Sequence, residues 1–432
     1  MTNIARLLGW TSLALAAAAV PVQVASAQVT PTDPMAPLPD AKSVPPVIVP
    51  AVPLPVAPPP LWQIGDARSL LAYIGTVGSE GLNPRDYDPA GLEAALRSGD
   101  PLVMSAAASD RFTKLAGDLA LGHVRGKDRG EWYVTDADLT PAASALLLAG
   151  ALDRHDVVGS LRSLLPTHPQ YSFLRTALAQ SNKTDVSMTN RIRLNMDRWR
   201  WLPRDLGNKY IIVNVPSFYA TLVENGATRW KHRAIAGAIK TKTPQLTATA
   251  IGVTLNPWWE VPPSITHEVA GKNGFVAVKG ADGKVQRWRQ PPGPSNALGK
   301  VKFSMQNGQN IYLHDTNARS RFNSQLRALS HGCIRTENIM DLAKELLSDD
   351  AGTWTPEKVD ETLASGKSVL AKFVKPLPVY IVYFSAAALN DGTIIPYADL
   401  YGRDAKVIAA LNGVTAVKPK VAVKKPTQTA SR

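Results

Sequence analysis

Two short segments decide how this sequence is interpreted: Ile311-Tyr312-Leu313-His314-Asp315-Thr316 and Ser330-His331-Gly332-Cys333-Ile334-Arg335. Cys333 is the one cysteine among 432 residues, so an internal disulfide and a cysteine-rich zinc or iron–sulfur site are excluded. A thiol is only a few per cent ionised at neutral pH and needs a nearby base or cation to act as a nucleophile. His314 and His331 supply imidazoles near it in sequence, and Gly332 permits a sharp turn. The alternative is an inert buried cysteine.

A cysteine–histidine pair suggests a definite chemistry. It forms a thioester with a carbonyl substrate, and backbone N–H groups at the turn of Gly332 and Cys333 can hold the oxyanion, each such donor being worth ~2.7 to 4 kcal/mol. The spacing of His314 and His331 does not say which of them is the base. The two lack the close helical spacing of a zinc pair, so no metal site is expected.

The N-terminus predicts export. Arg6 precedes an apolar run over residues 7–20, and Ala25-Ser26-Ala27 then gives the small-residue pattern of a cleaved signal peptide at 1–27. Fourteen apolar residues are too few to cross a bilayer, which takes ~20. The net charge of +13 suits envelope polyanions. We therefore expect a periplasmic protein that is peripheral to the membrane at most and has no nucleic-acid partner.

Composition divides the rest of the chain. Twelve of the residues 31–60 are proline, which predicts an extended linker over 28–61. Helical periodicity follows over 62–185, while 190–403 is β-rich, with Asn-Gly and Asp-Gly turn signals. Residues 412–432 form a basic tail predicted to be disordered. The expected fold class is α+β, with a helical domain before a β-rich domain that contains a few helices.

Local signals place some helix ends. Gly122 is expected to end a helix whose apolar stripe includes Phe112. Thr336 is expected to cap a helix that starts shortly after it, and Thr355 with Pro356 to start another. Asn225 with Gly226 predicts a tight turn between β-rich runs.

The two opening segments resemble the signature of the L,D-transpeptidase catalytic domain, also called the YkuD-like domain, in which a histidine precedes the Ser-His-Gly-Cys motif. Further blocks resemble the long periplasmic form of that family, which carries an N-terminal helical scaffold domain; together they cover roughly residues 62–403. These blocks are Gly81-Leu-Asn-Pro-Arg-Asp-Tyr87, Asp118-Leu-Ala-Leu-Gly122, Asn195-Met-Asp-Arg-Trp-Arg-Trp-Leu-Pro203, Asn256-Pro-Trp-Trp259 with Val261-Pro-Pro-Ser264, and Asn296-Ala-Leu-Gly299 before Lys302.

The resemblance implies roles for the residues that match the motif. Cys333 becomes the nucleophile and His314 the general base, while Ser330, His331 and Gly332 belong to the loop around the oxyanion. For His331 a purely structural, hydrogen-bonded role is the alternative. Residues that the resemblance or their position suggests for substrate binding are Arg335, Tyr312, Trp258, Trp259, Asn256 and Asp315. For the aromatic members, burial in the core is the alternative.

The resemblance also implies a reaction without cofactor or metal. Cys333 would release the terminal D-alanine of a peptidoglycan tetrapeptide stem, and an amine of a second stem would resolve the thioester into a 3-3 cross-link. Carbapenems would acylate the same thiol. Water or a lysine of an envelope protein as acceptor, giving a carboxypeptidase or a protein-anchoring enzyme, stays open, as does a non-catalytic wall-binding scaffold.

The sequence departs from the family pattern at two places. The wall-binding helical module commonly inserted between scaffold and catalytic parts is missing, and the lid-like insertion at 266–288 is short.

Overall fold

The computed structural model describes residues 60–134, 138–182, 184–349 and 353–413. The predicted signal peptide, all but the last two residues of the proline-rich linker, and the tail beyond residue 413 lie outside the described residues. The described residues all belong to one compact unit, Pro58–Arg432.

The described residues of 62–185 fold mostly as helices, as their periodicity predicts, and one further helix continues to Arg200, inside the stretch that was expected to be β-rich. The helices are α1 (Ile64–Thr76), α2 (Pro89–Arg97), α3 (Pro101–Leu121), α4 (Pro141–Asp153), α5 (Val157–Arg162), α6 (Pro169–Gln180) and α7 (Val186–Arg200). One short strand, β1 (Trp132–Tyr133), interrupts them. Their core includes Phe112, Leu115 and Leu119, which repeat along one face of α3 and are fully buried.

The ends of α3 show how local sequence sets these helices. The side chain of Asp100 accepts hydrogen bonds from the backbone N–H groups of Leu102 at 2.8 Å and Val103 at 3.3 Å, while Pro101 occupies the first turn. Gly122 then ends the helix with a φ of +82°. Because the cap satisfies N–H groups that have no partner inside the helix, the start is fixed by neighbouring residues alone.

The remainder is β-rich with four further helices among the described residues. The strands are β2 (Lys209–Asn214), β3 (Tyr219–Glu224), β4 (Ala227–Gly237), β5 (Gln245–Leu255), β6 (Trp259–Glu260), β7 (Val276–Lys279), β8 (Val285–Gln290), β9 (Val301–Gln306), β10 (Leu313–His314), β11 (Ala328–Ser330), β12 (Ile334–Thr336), β13 (Val369–Val382), β14 (Ala386–Ala388) and β15 (Ile394–Pro396). The helices are α8 (Thr266–Val269), α9 (Ile339–Ser348), α10 (Pro356–Ala364) and α11 (Asp404–Leu411). A helical half followed by a β-rich half confirms the predicted fold class.

Ten of the described strands form one sheet, ordered β1-β5-β13-β2-β3-β4-β12-β10-β9, with β11 beside β4. The sheet closes on itself because β9 pairs back onto β5, from Thr249 opposite Gln306 to Leu255 opposite Val301. Phe303, Leu313 and Ile334 are fully buried in the core inside this closed sheet. The predicted turn at Asn225 and Gly226 joins β3 to β4.

A second, smaller sheet stands apart from the closed one. Its strands are ordered β6-β8-β7, and α8 packs beside them. Val261, Ile265 and Val269 form a separate apolar cluster, against which Trp259 and Trp288 pack. The predicted lid-like insertion therefore lies in a small folded element of β6, β7, β8 and α8, the lid sheet.

Helix α7 joins the two halves and is buried on several sides. Arg198, on α7, forms a buried ion pair of 2.8 Å with Asp404 of α11, and Asn195 bonds to Ser385 beside β14. No helix in the described part of the chain is both long and apolar enough to cross a bilayer.

Candidate active site

The segments 311–316 and 330–335 contribute adjacent strands of the closed sheet. β10 runs parallel to β12, with Leu313 opposite Ile334 and His314 opposite Arg335. Successive residues of a strand point to opposite faces. Leu313 and Ile334 therefore enter the core, while His314 and Arg335 share the other face.

Tyr312 and Cys333 lie on the same face as His314 and Arg335, because Tyr312 is two residues before His314 and Cys333 is two residues before Arg335. The N–H of Ile334 bonds to the carbonyl of Tyr312 at 3.0 Å. The rings of Tyr312 and His314 meet edge to face with centroids 5.6 Å apart. The Tyr312 hydroxyl also lies close enough to the Cys333 thiol to lower the pKa of that thiol. The structure thus gathers the predicted nucleophile, the predicted base and two predicted substrate residues in one place.

The loop before Cys333 is held by hydroxyl groups. The Ser330 hydroxyl donates to the carbonyl of Cys333 at 2.6 Å and accepts the N–H of Gly332 at 3.1 Å. The Thr243 hydroxyl donates to the carbonyl of Gly332 at 2.7 Å. Gly332 has a φ of +119°, a conformation that residues with a side chain rarely adopt.

Gly332 and Cys333 were expected to hold the oxyanion with their backbone N–H groups, but the loop leaves only one of the two groups free. The N–H of Gly332 is already bonded to Ser330, so it is not free to hold an oxyanion. The N–H of Cys333 has no such bond among the described residues, which leaves it as the donor of that turn.

The Cys333 thiol is partly exposed and protonated at neutral pH. Burial raises its pKa, and this outweighs the hydrogen bonds of Tyr312 and the charges of Lys302 and Arg335, which lower it. The thiol donates towards the carbonyl of Asn310 at 3.7 Å, as a neutral group does.

His314 is a neutral imidazole enclosed in the protein, with 4% of its surface exposed. Burial, helped by the charge of Arg335, lowers its pKa to about 3, although the backbone groups of Asp315 and Leu298 act in the opposite direction. Its Nδ1 atom makes no hydrogen bond of good geometry with the described residues. A neutral imidazole can accept a proton, so His314 can serve as a base.

No hydrogen bond joins the thiol of Cys333 to the imidazole of His314 in the described structure, where the thiol points to Asn310. Catalytic hydrogen bonds are commonly long before substrate binds. The pair is therefore neutral in the resting state, rather than a thiolate beside an imidazolium.

Two cations border the thiol. Lys302 lies with its Nζ 4.2 Å from the centre of the Tyr312 ring, and Arg335 faces the same site. Burial lowers the pKa of both side chains. Among the described residues neither forms an ion pair, and the Nε of Arg335 is buried without a hydrogen bond. A guanidinium in such a setting is suited to a carboxylate that arrives with a ligand.

A groove runs from Lys302 along the sheet. It is lined by Ile251, Lys302, Ser304, Met305, Gln306, Asn307, Asn310, Tyr312 and Leu370. Asn310 and Tyr312 also contact the Cys333 thiol, so the groove leads to the sulfur and gives a peptide a path to it.

The lid sheet supplies two of its residues to the site. Trp259 lies close enough to the Tyr312 hydroxyl to affect its pKa, which places this predicted substrate residue near the thiol. Glu268, on α8, lies 3.3 Å from the Nε2 of His331, and both side chains are about half exposed. His331 therefore faces the lid sheet instead of enclosing the oxyanion pocket. Trp258 packs under the guanidinium of Arg289 at 4.2 Å.

Two predicted substrate residues have structural roles instead. The side-chain amide of Asn256 donates to the carbonyls of Thr362 at 3.0 Å and Leu363 at 3.3 Å, at the end of α10. Expecting Asn256 to contact substrate was wrong, because this amide satisfies the last carbonyls of a helix.

Asp315 is the second of these residues, and its carboxylate is engaged within the protein instead of facing the site. It accepts the N–H of Lys300 at 2.9 Å and pairs with Arg319 at 2.9 Å. A Cβ at Gly299 would lie 2.3 Å from this carboxylate, so the loop before β9 closes tightly around it. Asp315 acts on His314 only through its backbone.

Sequence reasoning missed three residues of the site: Lys302, Asn310 and Thr243. Lys302 lies opposite His314 across β9 and β10, and Thr243 comes from a loop ninety residues before the cysteine. The sequence signal that would have identified Lys302 is a cation within an alternating strand pattern. Among the described residues, no three His, Cys, Asp or Glu side chains cluster closely enough to hold a metal ion.

Comparison with known families agrees with the fold. Residues 208–369 match the L,D-transpeptidase catalytic domain, the YkuD family, and residues 58–178 match the Scaffold domain family. The chain therefore carries a YkuD-type L,D-transpeptidase catalytic domain behind a scaffold domain, which confirms the resemblance inferred from the sequence.

Individual relatives are similar over part of the chain. A Haemophilus influenzae protein named "Putative L,D-transpeptidase" is 32% identical over 255 residues, covering 53% of this chain and 51% of its own length. The chain thus spans about half the length of this curated relative.

Solved structures are more distant. An Enterococcus faecium L,D-transpeptidase is 14% identical, with a TM-score of 0.23 over 42% of this chain and 52% of its own. An L,D-transpeptidase from Mycobacterium smegmatis is 13% identical, with a TM-score of 0.21 over 40% and 58%. Likenesses of this size assign no role to individual residues of this chain.

Proposed function

We propose that this chain is a peptidoglycan L,D-transpeptidase that forms 3-3 cross-links through a thioester on Cys333. The observation that carries the proposal is the shared face of β10 and β12. A protonated thiol, a neutral buried imidazole and an unpaired guanidinium lie together there, at the end of a groove.

In the first step, Cys333 turns from Asn310 and attacks the carbonyl between the third residue of a tetrapeptide stem and its terminal D-alanine. The S–C bond forms as His314 takes the thiol proton. The N–H of Cys333 and the hydroxyl of Tyr312 are the nearby donors for the oxyanion. The C–N bond then breaks, and His314 returns the proton to the amine of D-alanine, which leaves.

In the second step, an amine of another stem attacks the thioester and loses a proton to His314. The C–S bond then breaks, and His314 passes this proton to the sulfur, which restores the thiol. Arg335 and Lys302 hold carboxylates of the stems, which matches their unpaired charge. The lid sheet, through Trp259, covers the groove beside the reacting sulfur. No cofactor enters either step.

Purified tetrapeptide donor with the full chain tests this reaction. Mass spectrometry of the products should show 3-3 dimers and free D-alanine. Cys333→Ala and His314→Gln should both lose D-alanine release while they keep the melting temperature of the wild type within a few degrees. Undiminished release by Cys333→Ala would overturn the proposal. Tripeptides without dimers would show that the enzyme is a carboxypeptidase instead. A peptide–lysine adduct would show that it attaches a protein to the wall.

The proposed place of action is the periplasmic cell wall. Support comes from the signal-like pattern at 1–27 and from the net charge of +13. N-terminal sequencing of the protein recovered from the envelope should begin at Gln28, and an intact Met1 in that fraction would contradict export by cleavage.

A further inference from the structure

The peptide unit between Gly332 and Cys333 carries both a carbonyl that the protein holds and the N–H proposed to receive the oxyanion. A peptide unit is planar and trans, so its carbonyl and its N–H point in opposite directions. The Thr243 hydroxyl donates to the Gly332 carbonyl at 2.7 Å. Without this bond the unit would turn over readily, because glycine tolerates a wide range of backbone angles. Whatever fixes Thr243 therefore also fixes the direction of the Cys333 N–H.

Thr243 is fully buried, and each of its polar groups has a partner. Its hydroxyl also accepts the N–H of Gly237 at 2.9 Å. Its own N–H donates to the hydroxyl of Tyr401 at 3.2 Å, and its carbonyl accepts from the guanidinium of Arg403 at 3.1 Å. Residues from β4 and from the segment before α11 thus hold this threonine in one position.

The helical half reaches this threonine through Arg403. Glu131, just before β1, forms an ion pair with Arg403, whose side chain is 8% exposed. The carbonyl of Glu131 accepts the N–H of Gln245 at 3.0 Å, and β1 pairs with the start of β5. A segment of the helical half is therefore anchored close to Thr243 both by its backbone and by one charged side chain.

We infer that the chain of contacts from Glu131 to Thr243 positions the Cys333 N–H for the oxyanion, so that the helical half helps to hold the reacting loop. Glu131, Arg403 and Thr243 are positioning residues, because each acts through the next one and not on the substrate. The inference deepens the proposed function and rests on it for the identity of the carbonyl that is attacked.

Two reactions of the Cys333 thiol separate this role from a general effect on the fold. In acetylation by p-nitrophenyl acetate, the S–C bond forms, the carbonyl oxygen becomes an oxyanion, and the bond to nitrophenolate then breaks as His314 holds the thiol proton. Alkylation by iodoacetamide displaces iodide from a saturated carbon and forms no oxyanion. Both reactions need the thiol to lose its proton, so the ratio of their rates reports the oxyanion donor. Intact mass of the full chain measures both rates, with Cys333→Ala as the background.

Thr243→Val keeps the shape of the side chain and removes its hydroxyl. Loss of an oxyanion donor costs ~10²- to 10³-fold, and misdirecting one should cost part of this, so we expect the ratio of acetylation to alkylation to fall about tenfold. Thr243→Ser keeps the hydroxyl and should restore the ratio. Thr247→Val, on β5, is the matched control, because the Thr247 hydroxyl makes no hydrogen bond among the described residues. An unchanged ratio in Thr243→Val, or an equal fall in Thr243→Ser, would overturn the inference.

Glu131→Ala tests the part played by the helical half. Glu131 is about half exposed, so the variant should fold, and loss of its pairing with Arg403 should lower the ratio about threefold, as expected for one contact in a coupled network. Glu93→Ala removes an exposed acid of the same half, paired with Arg97 at 2.9 Å, and should leave the ratio unchanged. The wild-type ratio in Glu131→Ala, or an equal fall in Glu93→Ala, would overturn the link.

Release of D-alanine from tetrapeptide keeps this test separate from that of the proposed function. Thr243→Val should lower kcat and leave KM unchanged, because the contact acts on the transition state and not on substrate binding. A fall in the ratio with no release by the wild type would contradict the proposed function and still support the positioning role. Release by the wild type with an unchanged ratio in the variants would overturn the positioning role alone.

Discussion

The hydroxyl of Ser330 bonds to the carbonyl of Cys333 at 2.6 Å, and through this bond the turn that carries the thiol is tied to the strand before it. The same hydroxyl accepts the N–H of Gly332. One buried side chain thus closes the loop at both ends and fixes the backbone beside the reacting sulfur.

Ser330→Ala should loosen this loop. The change leaves a buried N–H and a carbonyl without their partner, which costs about 1 to 3 kcal/mol of the free energy of unfolding. D-alanine release should fall as well, because Cys333 is less well positioned. Urea unfolding and D-alanine release measure the two effects. Ser348→Ala, whose hydroxyl bonds at the exposed end of α9, should change neither, and wild-type behaviour of Ser330→Ala would contradict this role.

Tyr312→Phe should make the thiol less reactive. The Tyr312 hydroxyl lowers the pKa of Cys333, as the Tyr312 backbone also does, against the stronger effect of burial. Loss of the hydroxyl should therefore raise that pKa further. Alkylation by iodoacetamide, followed over pH, should shift to higher pH in the variant. Tyr133→Phe, at an exposed tyrosine, is the control. An unchanged or lower pH midpoint of alkylation would show that the Tyr312 hydroxyl does not lower the pKa of Cys333.

The buried neutral histidine should make the protein sensitive to acid. The pKa of His314 is lowered to about 3 by burial, so below its ordinary value near 6.5 the unfolded chain binds a proton that the folded chain does not. Stability is therefore complete above pH 6.5 and falls as the pH drops towards 3, by roughly 4 kcal/mol in all. His314→Gln should flatten this fall in urea unfolding between pH 7 and 4.

Two other histidines serve as comparisons for that experiment. Burial lowers the pKa of His168 to about 4, so His168→Gln should flatten the profile less. The hydrogen bond to Asp118 raises the pKa of His123, so its stabilising effect is present at low pH and lost as the pH rises. His123→Gln should accordingly lose more stability at pH 5 than at pH 8. Parallel profiles for all three variants would contradict the assigned charge states.

Arg335→Gln should weaken substrate binding without weakening the fold. Arg335 has no acid partner among the described residues, and a partly buried cation of that kind contributes little to stability. We expect the KM for tetrapeptide to rise about tenfold and the melting temperature to stay the same or increase. The KM of Arg335→Lys should lie between those of the wild type and Arg335→Gln, because lysine keeps the charge but lacks the paired N–H groups of the guanidinium. A variant with a lower melting temperature and an unchanged KM would instead assign Arg335 a role in stabilising the fold.

The parts of the fold that sequence predicts are those set by near neighbours. Gly122 ends α3, and Thr355 accepts the N–H of Lys358 at the start of α10, as its position before Pro356 predicts. Each depends on residues within one helical turn. Thr336 was wrongly expected to cap a helix: it belongs to β12, and Asn338, in the left-handed conformation, precedes α9.

The site was predictable where a motif carries it and unpredictable where strand pairing builds it. Cys333 and His314 stand out by residue type and spacing. Asn256 was misassigned because its partners lie more than a hundred residues away in the helix α10. Lys302 was overlooked because only the register of β9 against β10 brings it opposite His314, and register is set by packing that spans the whole sheet.

The division of the chain between residues 185 and 190 remains a prediction about where one domain ends. The matched families cover 58–178 and 208–369. Between them lies α7, whose residues Ile192, Met196 and Trp199 pack in one apolar cluster with Tyr171 of α6 and Tyr380 of β13. This helix touches both halves, so its cluster stabilises them together.

The most direct test of the central claim is the intact mass of the full chain after brief mixing with tetrapeptide donor in the absence of an acceptor. A thioester on Cys333 predicts a mass increase equal to the tripeptide acyl group, present in the wild type, absent in Cys333→Ala and removed by hydroxylamine. An unmodified wild-type mass while D-alanine accumulates, or the same adduct on Cys333→Ala, would contradict the account.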